Sequence, residues 1–176
     1  MPDIPMSIMP ILLFATDVIH EIATVLFVGG LYFMLFVQLP AIASVKSPRM
    51  RLQLRHASFK RLFRWSWLGL VLMWLTGAYH LYLTKPAKLE MYVWIMILLY
   101  AIFTLLLLVA QFGVFIDAIM ALEDGNSERA SWLYRRLRVL IWFAFLLAVA
   151  LMLLDNTGPA LVQFGGFNLE SLLDGR

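Results

Sequence analysis

Two histidines and two carboxylates stand in stretches that are otherwise apolar. Asp17, His20 and Glu21 open the run DVIHEIATVLFVGGLYF, and His80 closes TGAYHLY. Neutral imidazole is a ligand for copper and for haem iron, and a carboxylate on its second nitrogen fixes the tautomer that coordinates. Asp17, His20, Glu21 and Thr24 are spaced so that they share one face of a helix. Inside a membrane an ionisable group costs about 2.5–3.5 kcal/mol on insertion scales, so such a face turns to the protein interior or to a wet cavity.

The surroundings are those of a membrane protein. Of the 176 residues, 62% are hydrophobic and 14% charged, whereas soluble domains are about half apolar and about a quarter charged. There is no linker, low-complexity tract or internal sequence repeat, which favours a single membrane domain over residues 1–176. Cysteine is absent, which excludes disulfides, thiolate metal sites, iron–sulfur clusters and a cysteine nucleophile. No hydrolase triad, phosphate-binding glycine loop or zinc-protease helix is present. What remains for an enzyme is redox chemistry on a bound cofactor. The excess of basic residues lies in short loops between apolar runs, which points to membrane orientation and not to nucleic acid.

A bilayer core of about 30 Å takes about 20 apolar residues of helix. Four stretches qualify, at about 11–39, 65–84, 91–121 and 139–155, the last with a helical lead-in from about 130. Pro40 and Pro48 punctuate the first, Lys85 and Pro86 the second, Gly125 and Asn126 the third, Gly158 and Pro159 the fourth. The start MPDIPMSIMPILLF lacks the cationic head of a secretory signal, so the first span is expected to stay in the mature chain. Lys46, Arg49, Arg51, Arg55, Lys60, Arg61 and Arg64 lie between spans one and two, and Arg129, Arg135, Arg136 and Arg138 between three and four. Only Lys85, Lys88 and Arg176 lie on the other side, so the positive-inside rule puts both termini outside the cytoplasm. The expected fold is an all-α four-helix bundle in a bacterial inner membrane, with an extracytoplasmic tail over 157–176.

With that topology His20 and His80 both fall in the outer leaflet, each roughly 10 Å from the midplane at 1.5 Å per residue. Facing each other, they could ligate a b-type haem axially, with Gly29, Gly30 and Gly77 giving room for the macrocycle. They could equally hold copper, with thioethers from Met1, Met6 or Met9 on the same side. Asp17 or Glu21 would hold an imidazole by its second nitrogen. Plainer readings stand beside these: methionines as packing, glycines as helix contacts, His20 with Glu21 as an interfacial pair. The segment Arg49–Arg64 reads as an ordinary positive loop, His56 included, or as an amphipathic helix on an anionic leaflet. Gln111 and Asp117 are expected to meet the Arg135, Arg136 and Arg138 group or water. Trp65, Trp67, Tyr82, Tyr92, Trp94, Trp132 and Trp142 fit an aromatic belt.

The stretch IHEIATVLFVGGLYFMLFVQLPAI, with His20 followed by Gly30, Leu31 and Tyr32, resembles the first helix of the copper-resistance CopD-like membrane proteins and their HemJ-type relatives. LFRWSWLGLVLMWLTGAYHLYL resembles the second helix of the same group. The resemblance implies a helical membrane protein of copper handling or b-haem electron transfer, with His20 at the family's helix-one histidine. HemJ-type proteins carry a further histidine where this chain reads FVQLPAI, and a lysine where its third span reads MYVWIMILL, so porphyrinogen oxidation is not carried over. The resulting expectation is a haem or copper site at His20 and His80, in an electron-transfer or copper-handling protein that sits alone, as a homo-oligomer or beside other redox subunits. The rival expectation is a cofactor-free structural or assembly subunit.

Overall fold

The computed structural model describes residues 8–84 and 91–163. These residues form four helices: α1 over Met9–Ala43, α2 over Pro48–Thr84, α3 over Met91–Glu123 and α4 over Ser127–Gln163. They fall into two compact units divided after Ala87, α1 with α2 in the first and α3 with α4 in the second.

The helix breaks follow local chemistry. In the first unit Ser47 Oγ accepts the Met50 N–H at 3.4 Å, and Pro48, which has no N–H to leave unpaired, starts α2. In the second, Gly125 turns the chain at φ 72°, and Asn126 Oδ1 accepts the Arg129 N–H at 2.9 Å to cap α4. Pro40 does not end the first helix. A π-helical turn, Met34–Gln38, precedes it, and the Leu39 N–H reaches back to the Met34 carbonyl. The proline's missing donor and bulky ring therefore fall where the α ladder is already interrupted, and helix continues to Ala43. A second π turn, Val109–Phe115, lies within α3.

Two further expectations are corrected. Arg49–Arg64, with His56, is the first part of a continuous 37-residue helix and not a loop, because Leu52, Phe59 and Phe63 bury one side of it. Gly158 and Pro159 do not close α4, whose backbone stays helical to Gln163. The tail beyond that residue, like Met1 and Met6, lies outside the described residues.

The two units repeat one burial pattern that residue identities conceal. Buried Thr24, Leu31, Leu39 and Ile42 of α1 correspond to buried Phe103, Ala110, Ala118 and Ala121 of α3 at one constant shift along the chain. Leu52, Phe59, Phe63, Ser66, Leu70 and Met73 of α2 correspond to Ala130, Leu137, Ile141, Ala144, Ala148 and Leu151 of α4, at a shift smaller by one residue because the second turn is shorter.

Three helices, α1, α3 and α4, are long and apolar enough to cross a membrane. Their outward faces carry large apolar side chains such as Leu26, Leu98, Leu105, Phe112, Phe143 and Leu146, all exposed. Such surface suits a lipid bilayer. The apolar half of α2 is diluted by Trp65, Trp67, Trp74, Tyr79, His80 and Tyr82.

Candidate functional site

The site is built on the seam between α1 and α2, whose antiparallel register is fixed by four contacts. Gln38 donates to Ser58 Oγ at 3.0 Å near the turn. Phe27 lies against Gly69 so closely that a Cβ there would stand 3.0 Å from its ring. Farther from the turn, His20 Nδ1 lies 2.7 Å from Thr76 Oγ1, and one helical turn beyond, His80 Nδ1 lies 2.8 Å from Asp17 Oδ1. Phe27 against Gly69 separates the two histidine contacts from the Gln38–Ser58 bond near the turn.

The two anchors bear on the tautomers differently. Thr76 has one hydroxyl proton, and its oxygen is 2.7 Å from the Leu72 carbonyl and 3.2 Å from that of Met73. With that proton on the Leu72 carbonyl, Thr76 Oγ1 accepts from His20 Nδ1–H; turned toward the ring, it would donate to His20 Nδ1 instead. At His80 the acceptor is a carboxylate, so Nδ1 carries the hydrogen. A neutral ring that carries its hydrogen on Nδ1 has its coordinating lone pair on Nε2. This is the arrangement that metal-binding histidines use, with the second nitrogen tied to a carboxylate or other oxygen.

The layers differ in exposure. The His80 and Asp17 side chains are 43% and 54% exposed, so that pair meets its surroundings, while His20 is half-buried. Thr16 and Thr24 are buried and turn their hydroxyls onto Leu12 and His20 carbonyls at 2.8 and 3.0 Å. Neither hydroxyl leaves a buried polar group unpaired.

The expected site residues thus separate. Asp17 partners His80, across the seam. Glu21 is exposed and has no hydrogen bond or ion pair among the described residues, so the acceptor beside His20 is Thr76. Thr76 was legible as a polar residue four before His80, but nothing in the sequence marked it as facing His20. Among the glycines, Gly77 sits under the His20 ring, a Cβ there lying 3.9 Å from Cε1, whereas Cβ atoms on Gly29 and Gly30 would meet nothing within 4 Å. Gly69, unremarked in the sequence, is where Phe27 of α1 packs against the α2 backbone. Among the described residues no group of three or more His, Asp or Glu side chains has metal-holding geometry. His56 lies half-buried on α2, far along the helix from His80.

In the second unit Arg136 stacks over the Trp132 ring at 4.2 Å, and no ion pair joins Asp117 to Arg135, Arg136 or Arg138 among the described residues. The position in α4 that matches His80 in the burial pattern is Gly158, against the Tyr92 ring. The imidazole pair has no counterpart there.

No protein family, curated protein or solved structure in the comparisons matches this chain.

Proposed function

We propose that the protein binds a redox metal through His20 and His80 near the extracytoplasmic face of a bacterial inner membrane, and works in electron transfer or copper handling. The observation that carries the reading is the pair of Nδ1 anchors, Asp17 on His80 and Thr76 on His20, one helical turn apart on adjacent helices; with Nδ1–H in both rings, both Nε2 atoms hold a coordinating lone pair. No stability argument calls for such a pair, because an ion pair this exposed contributes only about 0–1 kcal/mol. The resemblance of both helices to CopD-like proteins supports the same reading.

The donor set fits copper better than a haem held between the two helices. Space beside Gly77, which a macrocycle would need, is taken by the His20 ring itself, and the approach of Phe27 to Gly69 keeps the helices close. Copper held by imidazole supplies one-electron chemistry, and a third ligand would come from a thioether or from a molecule outside this pair. A b-type haem on one of these Nε2 atoms is the second reading, in which the protein is a component of a haem-dependent oxidoreductase. In either version α2 crosses the membrane as a fourth span, with Thr76 and His80 partnered by α1, and both termini are extracytoplasmic.

Metal analysis and reduced-minus-oxidised spectra of the purified protein test the proposal. Copper at about one per chain, lost in His20→Ala and in His80→Ala, is the expected result. A Soret band lost in the same variants supports haem instead. No metal and no chromophore after supplementation with both would leave a structural or assembly subunit.

A further inference from the structure

The basic ends of the two units differ in a way that orientation in the membrane does not require. In the second unit Arg129, Arg135, Arg136 and Arg138 share their end with Asp117, Glu123, Asp124 and Glu128. In the first, Lys46, Arg49, Arg51, Arg55, Lys60, Arg61 and Arg64 have no such company, since no carboxylate occurs between Glu21 and Glu90. Glu21 itself lies at the opposite end of α1, beside His20. The positive-inside rule asks for Lys and Arg but is indifferent to acidic neighbours. No carboxylate shares the end of the first unit at which these cations lie.

The α2 helix shows which of them meet what. If α2 crosses the membrane, the reading proposed above on which this inference rests, its unbroken run from Pro48 to Thr84 means that its cations climb away from the bilayer surface at about 1.5 Å per residue. Only the last three, Lys60, Arg61 and Arg64, adjoin the apolar part of the helix. All three are exposed and form no ion pair among the described residues. Helical spacing then continues the same face into exposed Trp65, Leu68, Leu72 and Leu75, with Trp65 at 68% and Leu75 at 62%. A cationic cluster, an aromatic ring at the boundary and an open apolar stripe follow one another along a single helix face. That sequence of chemistries matches a phospholipid read from headgroup to acyl chain.

We propose that Lys60, Arg61 and Arg64 bind the phosphate of an anionic phospholipid whose acyl chain lies along Trp65, Leu68, Leu72 and Leu75. An acidic peptide would satisfy the cations but not the stripe. Free phosphate would do the same. A zwitterionic phospholipid satisfies the stripe, but its amine opposes the cluster.

Native mass spectrometry of the full chain, titrated with phosphatidylglycerol or phosphatidylcholine, tests the proposal. The wild-type protein should retain phosphatidylglycerol at about a hundredfold lower concentration than phosphatidylcholine, as three cations at about 1 kcal/mol each would give. K60Q/R61Q/R64Q should lose that preference, while R61K/R64K and the second-unit variant R135Q/R136Q should keep it. Retained preference in the triple glutamine variant would overturn the assignment. So would equal loss in R135Q/R136Q, which would mean net charge alone, or displacement of the lipid by millimolar inorganic phosphate, which would mean a soluble-anion surface.

Discussion

Oδ1 of Asp17 lies 2.8 Å from Nδ1 of His80, joining α1 to α2 at the open end of their seam. With both side chains about half exposed, the bond adds little to stability, and its consequence is the placement of a lone pair on Nε2. Asp17→Ala should therefore weaken copper binding by about 10–100-fold, the usual effect of removing such a partner, with little change in melting temperature. A competitive Cu(I) titration beside a thermal melt separates the two effects. Equal binding in the variant would remove Asp17 from the site.

Thr76 offers a sharper contrast, because its oxygen and not its shape matters. Thr76→Val keeps the volume but deletes the acceptor of His20 Nδ1–H, freeing the ring to take the other tautomer. Copper affinity should fall about tenfold or more, and stability by about 1 kcal/mol for the lost hydrogen bond. Thr76→Ser, which restores the hydroxyl, should recover both. The nitrogen chemical shifts of His20 report the tautomer directly, and an unchanged Nδ1–H form in Thr76→Val would refute that role of Thr76.

How much of this was readable in advance depends on what each residue does locally. His20, Asp17 and His80 stood out because a charged or titratable group among apolar ones is informative by itself. Thr76 did not, since a threonine near the end of a span is ordinary, and its role rests on a register set by Phe27 with Gly69 and Gln38 with Ser58. Glu21 misled for the opposite reason: adjacency in sequence turns neighbouring side chains to different parts of a helix surface, so the residue beside His20 in the chain is not the one beside it in space. The repeat of burial between the units was hidden because Leu52 and Ala130, or Ser66 and Ala144, fill equivalent places with different residues. Pro40 and the cations after Pro48 suggested a break and a loop, and the π turn together with the buried side of α2 reversed both.

Close approach at glycine predicts a graded series. A Cβ at Gly158 would lie 2.5 Å from Tyr92 Cδ2, one at Gly69 3.0 Å from Phe27 Cδ2, and one at Gly77 3.9 Å from His20 Cε1. Gly158→Ala should cost about 1–3 kcal/mol by overpacking, Gly69→Ala less, and Gly77→Ala close to nothing, since its new methyl meets ordinary contact distance. Unfolding in detergent, followed by circular dichroism, gives the order. Adding Tyr92→Ala should relieve the clash in Gly158→Ala, so that the double variant loses less than the two single losses together.

The status of α2 as a span can be decided because the chain has no cysteine of its own. Single cysteines at Lys46 and Lys88 flank this helix, and Asp124 marks the turn between α3 and α4. If α2 crosses, a membrane-impermeant thiol reagent applied outside intact cells should label Lys88→Cys but neither Lys46→Cys nor Asp124→Cys, and opening the cells should expose the other two. The physical obstacle is the density of Trp, Tyr and His in residues 65–84, and pairing with α1 removes part of it by giving His80 and Thr76 polar partners in Asp17 and His20. Labelling of Lys46→Cys and Lys88→Cys from the same side would mean that α2 does not cross, and His20 and His80 would then lose their common depth.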